Sequence, residues 1–313
     1  MRLRPSAAFV AALLTFTGPA GLAHQQATEQ KPFTLAVDVD IVSVTAVVYD
    51  KAGHFVGGLG PQNVTLLEDG VPQEVTYFRE AKGGEERIPL SVVLVLDTSG
   101  SMKENLGFLQ EAATTFVEKL EDVDSALVVS FNETVKGSVE FTGDVDRLES
   151  FVNGLQAWGG TSLYDAIRYA LDRIKNEAGR KALIVFTDGD DTTSSTREQD
   201  VVDYVRSVEA TVYAIGFRPG RGTAIGGGPN RGFLKRVSSE TGGDFFFPDR
   251  VGDLIKVFAG ISEELHNHYL LAYTPKRSPD GTFRAIELKL DRKDAEVRLR
   301  KGYFAVKHRR PRP

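Results

Sequence analysis

The chain has 313 residues, 41% of them hydrophobic and 26% charged, with a formal charge of −5. That leaves room for two globular domains, and the mildly acidic balance gives no reason to expect a nucleic-acid partner. It has no cysteine, which excludes disulfides, thiolate metal sites and a cysteine nucleophile.

The first residues read as a targeting segment. Arg2 and Arg4 precede an apolar stretch from Ala7 to Phe16, and Gly18-Pro19-Ala20-Gly21-Leu22-Ala23 offers small residues for cleavage after Ala23. Residues 1–23 are expected to be a signal peptide, because the apolar run is short for a membrane anchor. With no cysteine after the cleavage point, a lipoprotein anchor is excluded. No later run suits a membrane span. Losing Arg2 and Arg4 but no acid moves the charge from −5 to −7. The expected location is outside the cytoplasm: periplasmic, secreted or on the cell surface, with a bacterial envelope favoured.

Residues 24–32 are polar and expected to be disordered. From 33 to 87 the pattern is that of short strands. Leu35, Val37, Val39 and Ile41 alternate, and the phase then changes to Val42, Val44, Ala46 and Val48; this predicts a β-bulge or two strands at a bend. Asp50-Lys51-Ala52-Gly53 is a turn, and Glu68-Asp69-Gly70 a hairpin turn between Val64/Leu66 and Val75/Tyr77. Glu80 to Arg87 reads as a charged linker.

The pattern changes over residues 88–265. Runs at Leu90–Leu96, Ala126–Val129, Ala182–Phe186 and Val212–Ile215 read as strands buried on both faces. Amphipathic helices alternate with them, on Leu106/Leu109/Ala113/Phe116/Leu120, on Ile167/Ala170/Leu171/Ile174 and on Val201/Val205/Val208, and a last one on Leu254/Phe258/Ile261/Leu265. Val135–Phe141 reads as an antiparallel edge strand. The predicted fold is α/β, a doubly wound and mostly parallel sheet. Over residues 266–306 alternation returns at Leu271/Tyr273, Ile286/Leu288/Leu290 and Val297/Leu299, with a turn at Pro279-Asp280-Gly281. Neither flank has enough strands for its own core. The expectation is therefore one small antiparallel sandwich built from both flanks, with the α/β domain inserted in it. Two separate β caps are the alternative. Residues 307–313 form a basic, proline-rich tail, expected to be solvated.

Three loops carry the chemistry. They are Asp97-Thr98-Ser99-Gly100-Ser101, Gly159-Gly160-Thr161-Ser162-Leu163-Tyr164-Asp165 and Phe186-Thr187-Asp188-Gly189. In a doubly wound sheet they can converge at the strand ends. Each also has a plain reading: Ser101 with Glu104, and Ser162 with Asp165, fit helix caps, and Asp188-Gly189 fits a turn. Together Asp97, Ser99, Ser101, Thr161 and Asp188 make an all-oxygen set with only two negative charges. Such a set suits a hard divalent cation with a position open to an outside acid.

At these residues the chain resembles the von Willebrand factor type A family, whose metal-ion-dependent adhesion site is an Asp-x-Ser-x-Ser turn, a Gly-Gly-Thr loop and a Thr-Asp-Gly turn. The resemblance implies that Asp97, Ser99 and Ser101 hold Mg2+ (or Mn2+ or Ca2+), with Thr161 and Asp188 bound directly or through water. It also implies that an exposed Asp or Glu of a partner protein completes the shell. The flanks resemble a bacterial group best known from acidobacteria, through Asp69-Gly70-Val71-Pro72-Gln73, Tyr269 to Tyr273 and Arg300 to Tyr303. The group supplies no ligand identity.

Around the site, Asn132, Glu133, Trp158, Arg218 and Arg221 are candidate rim residues. Trp158 reads equally as an exposed contact or a packed anchor. The loop from Arg218 to Arg231 lacks a phosphate-binding pattern and reads as a flexible loop or as a basic rim. The leading function is non-enzymatic, metal-dependent protein binding. A structural envelope protein with a fold-stabilising cation is the alternative. A Mg2+-dependent phosphatase using Asp97 is a weaker one: Ser99 stands where a second acid is needed, and Gly189-Asp190-Asp191 only superficially matches the metal turn. A serine hydrolase is excluded, since no Gly-x-Ser-x-Gly elbow is present and His24, His54, His266, His268 and His308 avoid the strand-end loops. His266 and His268 lack further ligands in sequence and read as a solvated helix end.

Overall fold

Four strands open the described part of the chain: β1 (Val42–Asp50), β2 (Val64–Glu68), β3 (Val71–Pro72) and β4 (Val75–Ala81). A computed structural model describes residues 41–81, 88–138, 140–217 and 228–306, all within one unit, Val39–Pro313. The expected signal peptide, disordered segment and basic tail lie outside the described residues, as do Arg218 and Arg221.

The α/β head follows as β5 (Leu90–Asp97), α1 (Leu106–Val117), β6 (Ser125–Phe131), β7 (Val135–Gly137), α2 (Val145–Asn153), α3 (Leu163–Ile174), β8 (Arg180–Thr187), α4 (Glu198–Ser207), β9 (Thr211–Gly216), α5 (Arg231–Thr241), β10 (Phe245–Phe246) and α6 (Leu254–His266). The six-stranded sheet runs β10-β9-β8-β5-β6-β7. Every neighbour is parallel except β7, which is antiparallel to β6. All eight residues of β5 are buried, because successive side chains point to opposite faces and both faces are covered. Val92, Leu94 and Leu96 pack with α1, α2 and α6. Val93 and Val95 pack with α3, α4 and α5. Each such side chain contributes roughly 1.5–3 kcal/mol.

The chain returns to β structure in β11 (His268–Tyr273), β12 (Phe283–Leu290), β13 (Ala295–Leu299) and β14 (Gly302–Phe304). One sheet is β13-β1-β11-β4 and the other β14-β12-β2-β3, so each mixes strands from before and after the head. Val44, Ala46 and Val48 of β1 share a core with Leu66, Tyr269, Leu271, Tyr273, Ile286 and Leu288. The head is thus inserted in a small antiparallel sandwich.

Pairing of β1 with β11 and β13 is continuous from Val42 to Asp50, and the expected bulge or bend involves Leu35, Val37 and Val39, which lie outside the described residues. One local reading is corrected. The linker does not begin at Glu80: β4 runs to Ala81, which pairs with His268, and residues 82–87 lie outside the described ones.

The α3–β8 turn shows how tightly the head meets its base. Gly179 has φ +73°, and a Cβ there would stand 2.2 Å from the Pro89 carbonyl oxygen, which accepts the Arg180 N–H at 2.9 Å. Left-handed strain and a clash with main chain act together, so Gly179→Ala is expected to cost about 1–3 kcal/mol. A thermal melt checks this, and an unchanged Tm would refute it.

Candidate metal centre

The buried run of β5 ends in Asp97, whose carboxylate is fully enclosed. Its Oδ1 accepts the Ser99 N–H at 2.8 Å. Its Oδ2 accepts the Thr187 hydroxyl at 2.7 Å, from the end of the adjacent strand β8. The chain then turns through a short 3-10 helix, Gly100–Glu104. This turn brings the Ser99 and Ser101 hydroxyls within 3.0 Å of each other. Ser101 Oγ donates to Asp188 Oδ1 at 2.7 Å. Four of the five proposed ligands are therefore linked by hydrogen bonds, across the ends of two neighbouring parallel strands. Ser99 and Asp188 are buried and Ser101 is exposed, so the cluster opens to solvent on the Ser101 side.

Thr161 comes from the loop before α3. Gly100 N donates to Gly159 O at 3.0 Å and Trp158 N to Thr98 O at 2.9 Å, which lays this loop against the first turn. Thr161 N donates to Thr192 Oγ1 at 2.9 Å, and Thr161 O accepts from Thr192 N at 2.8 Å. Its hydroxyl lies 3.6 Å from where a Cβ on Gly189 would stand, beside Asp188.

The serines do not cap helices. Ser99, at the start of the 3-10 turn, makes no side-chain cap, and Ser101 turns to Asp188. Ser162 Oγ contacts Thr193 Oγ1 at 2.7 Å. The N–H of Tyr164 in the first turn of α3 goes to Asp191 Oδ2 at 3.0 Å, while Asp165 accepts from Ser195 N and Thr196 N at 2.9 Å each. Asp191, which superficially resembled a phosphatase metal ligand, is thus a helix cap. This reciprocal lock between α3 and residues 191–196 positions Thr161 and was not read from the sequence. Nor was the hydroxyl Thr187 gives to Asp97, although Thr187 stood inside the motif.

Of the rim candidates, Trp158 is 44% exposed. Asn132 is buried, and its Oδ1 accepts from Thr134 N at 2.9 Å and Thr134 Oγ1 at 3.0 Å, within its own loop. The exposed Glu133 lies over Gly159, its carboxyl 3.1 Å from where a Cβ there would stand.

The electrostatics are those of two acids lacking a counter-charge. Burial raises Asp97 to about 6, with the Asp188 charge adding to the rise, against hydrogen bonds from Ser99 and Thr187. Burial likewise raises Asp188, against the Ser101 hydroxyl. No cationic side chain among the described residues offsets either charge. Asp188 Oδ2 is buried without any hydrogen-bond partner, a costly state for a carboxylate oxygen. An oxygen-rich site with two acids and one orphaned oxygen fits a hard divalent cation.

The model of the von Willebrand factor type A domain matches residues 91–259, more than half of the chain. The chain belongs to the von Willebrand factor type A (VWA) family. Members typically mediate protein–protein adhesion or interaction, and often bind a divalent cation at the adhesion site. The human inter-alpha-trypsin inhibitor heavy chain H4 is 28% identical over 186 residues, spanning 54% of this chain but 19% of that protein's length. Among solved structures, a von Willebrand factor type A protein from Catenulispora acidiphila covers 85% of this chain and 73% of its own, at 12% identity and a TM-score of 0.48. Proximal thread matrix protein 1 from the mussel byssus, with a zinc-occupied adhesion motif, covers 59% of this chain and 47% of its own, at 16% identity and a TM-score of 0.49. No helix of the described residues is long and apolar enough to cross a membrane.

Proposed function

We propose that this VWA protein is an exported, non-enzymatic binding module that captures a partner protein through a divalent cation. Asp97, Ser99, Ser101, Thr161 and Asp188 would hold the ion, with Mg2+ the expected occupant and Mn2+ or Ca2+ the alternatives. When bound, the ion supplies an electrophilic position for an Asp or Glu of the partner. The orphaned, buried Asp188 Oδ2 carries this reading. The chain's own residues do the rest: Thr187 and the Ser99 N–H fix Asp97, and Gly159 and Trp158 hold the second loop against the first. The exposed Ser101 and Trp158 leave an approach for the partner. Export rests on the leader-like residues 1–23, and the flank motifs support kinship with the acidobacteria-type group.

The test is capture from envelope extract in Mg2+, in chelator, and with Asp97→Ala and Asp188→Ala. Binding is expected only for the wild type in Mg2+. Retention of the same proteins in chelator and by both variants would overturn the proposal. A cation that only stabilises the fold would raise Tm without changing capture.

A further inference from the structure

We propose that the base of the head holds a second cation site, of zinc type, built by Glu121, Asp124 and His266. It is independent of the adhesion site. Asp124, in the turn before β6, receives Leu90 N–H at 3.1 Å on Oδ1, next to the start of β5, whereas Asp97 ends that strand. Eight residues at about 3.3 Å each put the two ends of β5 roughly 20–25 Å apart.

His266 is the last residue of α6. Its Nδ1 lies 2.6 Å from the Ser262 carbonyl oxygen. A carbonyl only accepts, so Nδ1 carries a hydrogen and Nε2 is the nitrogen turned to the carboxylates. Nε2 faces Asp124 Oδ2 at 3.5 Å and Glu121 Oε1 at 3.9 Å. All three atoms lie within 4.8 Å of one another. In the neutral ring these are three ligand atoms turned on one point; in the protonated ring Nε2–H donates to Asp124 instead.

A cation at this point takes the place of the Nε2 proton, so its binding releases that proton. Ligand atoms arranged tetrahedrally about Zn2+ at 2.0–2.2 Å stand about 3.3–3.6 Å apart; His266 Nε2 and Asp124 Oδ2 already stand at 3.5 Å, and Glu121 Oε1, 3.9 Å from Nε2, has to close in on binding. The surroundings are those of a built site: Ser262 orients the ring, and the N–H groups of Leu90 and Glu121 (3.2 Å) fix Asp124, as outer contacts do around protein-bound metals. Asp124 is buried, while Glu121 and His266 are partly exposed, which gives an entry path. This also corrects the reading of the two histidines. His266 is not a solvated helix end, and His268, buried on the next strand, stands outside the ligand group.

One nitrogen and two carboxylates form a borderline donor set, whereas the adhesion site is all oxygen. Zn2+ therefore favours the base and Mg2+ the top. Occupied, the base site fastens the end of α6 to the α1–β6 turn and, through Leu90, to the first residue of β5. Those are the points where the chain leaves and enters the head.

The experiment is calorimetric titration of ZnCl2 into the untagged protein at about pH 7.5, with excess Mg2+ to fill the adhesion site. Chelator melts of each variant confirm folding. Wild type and Asp188→Ala are each expected to bind one Zn2+. His266→Gln loses it, and Glu121→Gln weakens it by at least about tenfold, the lower bound for losing even an outer contact. Should His266→Gln not fold, Glu121→Gln decides alone. Unchanged zinc binding by either folded variant overturns the proposal, as does no uptake by wild type in Mg2+. Loss on Asp188→Ala with retention in His266→Gln assigns the zinc to the adhesion site and also overturns it. None of these results bears on Mg2+-dependent capture, which is read through Asp188.

Discussion

Arg284→Met is expected to lower the unfolding free energy by about 3–5 kcal/mol, the usual cost of stranding one partner of a buried ion pair. Arg284 is fully buried and Glu68 is 2% exposed. Arg284 Nη1 meets Glu68 Oε1 at 3.3 Å and donates to Arg277 O at 3.1 Å, while Nη2 donates to Ser278 O at 2.6 Å. The hydroxyls of Tyr273 and Tyr303 donate to Glu68 Oε2 at 2.8 Å each. Without the guanidinium, buried Glu68 is left with the two tyrosine hydroxyls and the half-exposed Arg277, whose Nη2 stands 3.6 Å from Oε1, a longer and more solvated contact than the one removed. Because Glu68 lies before the head and Arg284 after it, the loss acts on the contact that joins the two flanks. Denaturant unfolding measures it, and the double variant Glu68→Gln/Arg284→Met is expected to recover part of the loss. A single-variant loss below about 1 kcal/mol would show that the network contributes little beyond a surface pair.

The second large effect concerns Asp97, and its sign depends on the cation. In chelator at about pH 7.5, Asp97→Asn is expected to be more stable than wild type. The folded carboxyl titrates near 6 against an ordinary 3.8, so the folded state binds more protons than the unfolded state between those values. Stability is then lost as pH rises through that window. The full difference, about 2 pKa units, is roughly 3 kcal/mol. The advantage of the Asn variant should close as pH falls from about 6 to about 4. Mg2+ at about a thousand times Kd should reverse the order, because wild type then gains about 4.1 kcal/mol and the variant gains far less. Paired thermal melts across pH, with and without Mg2+, isolate Asp97 from other titrating groups. A variant no more stable than wild type in chelator would refute the account.

Much of the head was legible because its signals are local. A continuous apolar run means a strand covered on both faces, and the helical spacing of Leu254, Phe258, Ile261 and Leu265 marked α6, where all four are buried. Two helices carried weaker signals. Only Leu148 and Val152 of α2 are buried, and α5 begins Arg-Gly and contains two serines. Their caps were visible in principle: Asp144 accepts from Arg147 N and Asn230 from Phe233 N. The alternation of β12 placed Arg284 on the inward face with Ile286 and Leu288, but a single charged residue in such a pattern gives no partner. The candidate adhesion site was legible as three short motifs. The hydroxyls of Ser101 and Ser162, by contrast, fitted local caps as well as long-range contacts, and only tertiary structure separates the two. The trio at the base joins residues 142 positions apart, and no spacing rule reaches that far.

The chain enters the head from β4 and leaves it into β11, and these strands are hydrogen-bonded neighbours, with Ala81 opposite His268. β11 is also paired with β1 from Val42↔Tyr273 to Ala46↔Tyr269, and Val42 lies at the end of that ladder away from the head. A tensile load between the head and the start of β1 therefore arrives along the strand axes. It shears all five residue pairs of the β1–β11 ladder at once instead of peeling them one by one. The sandwich thus meets a pull along its strand axes in shear, the loading in which paired strands must give way together.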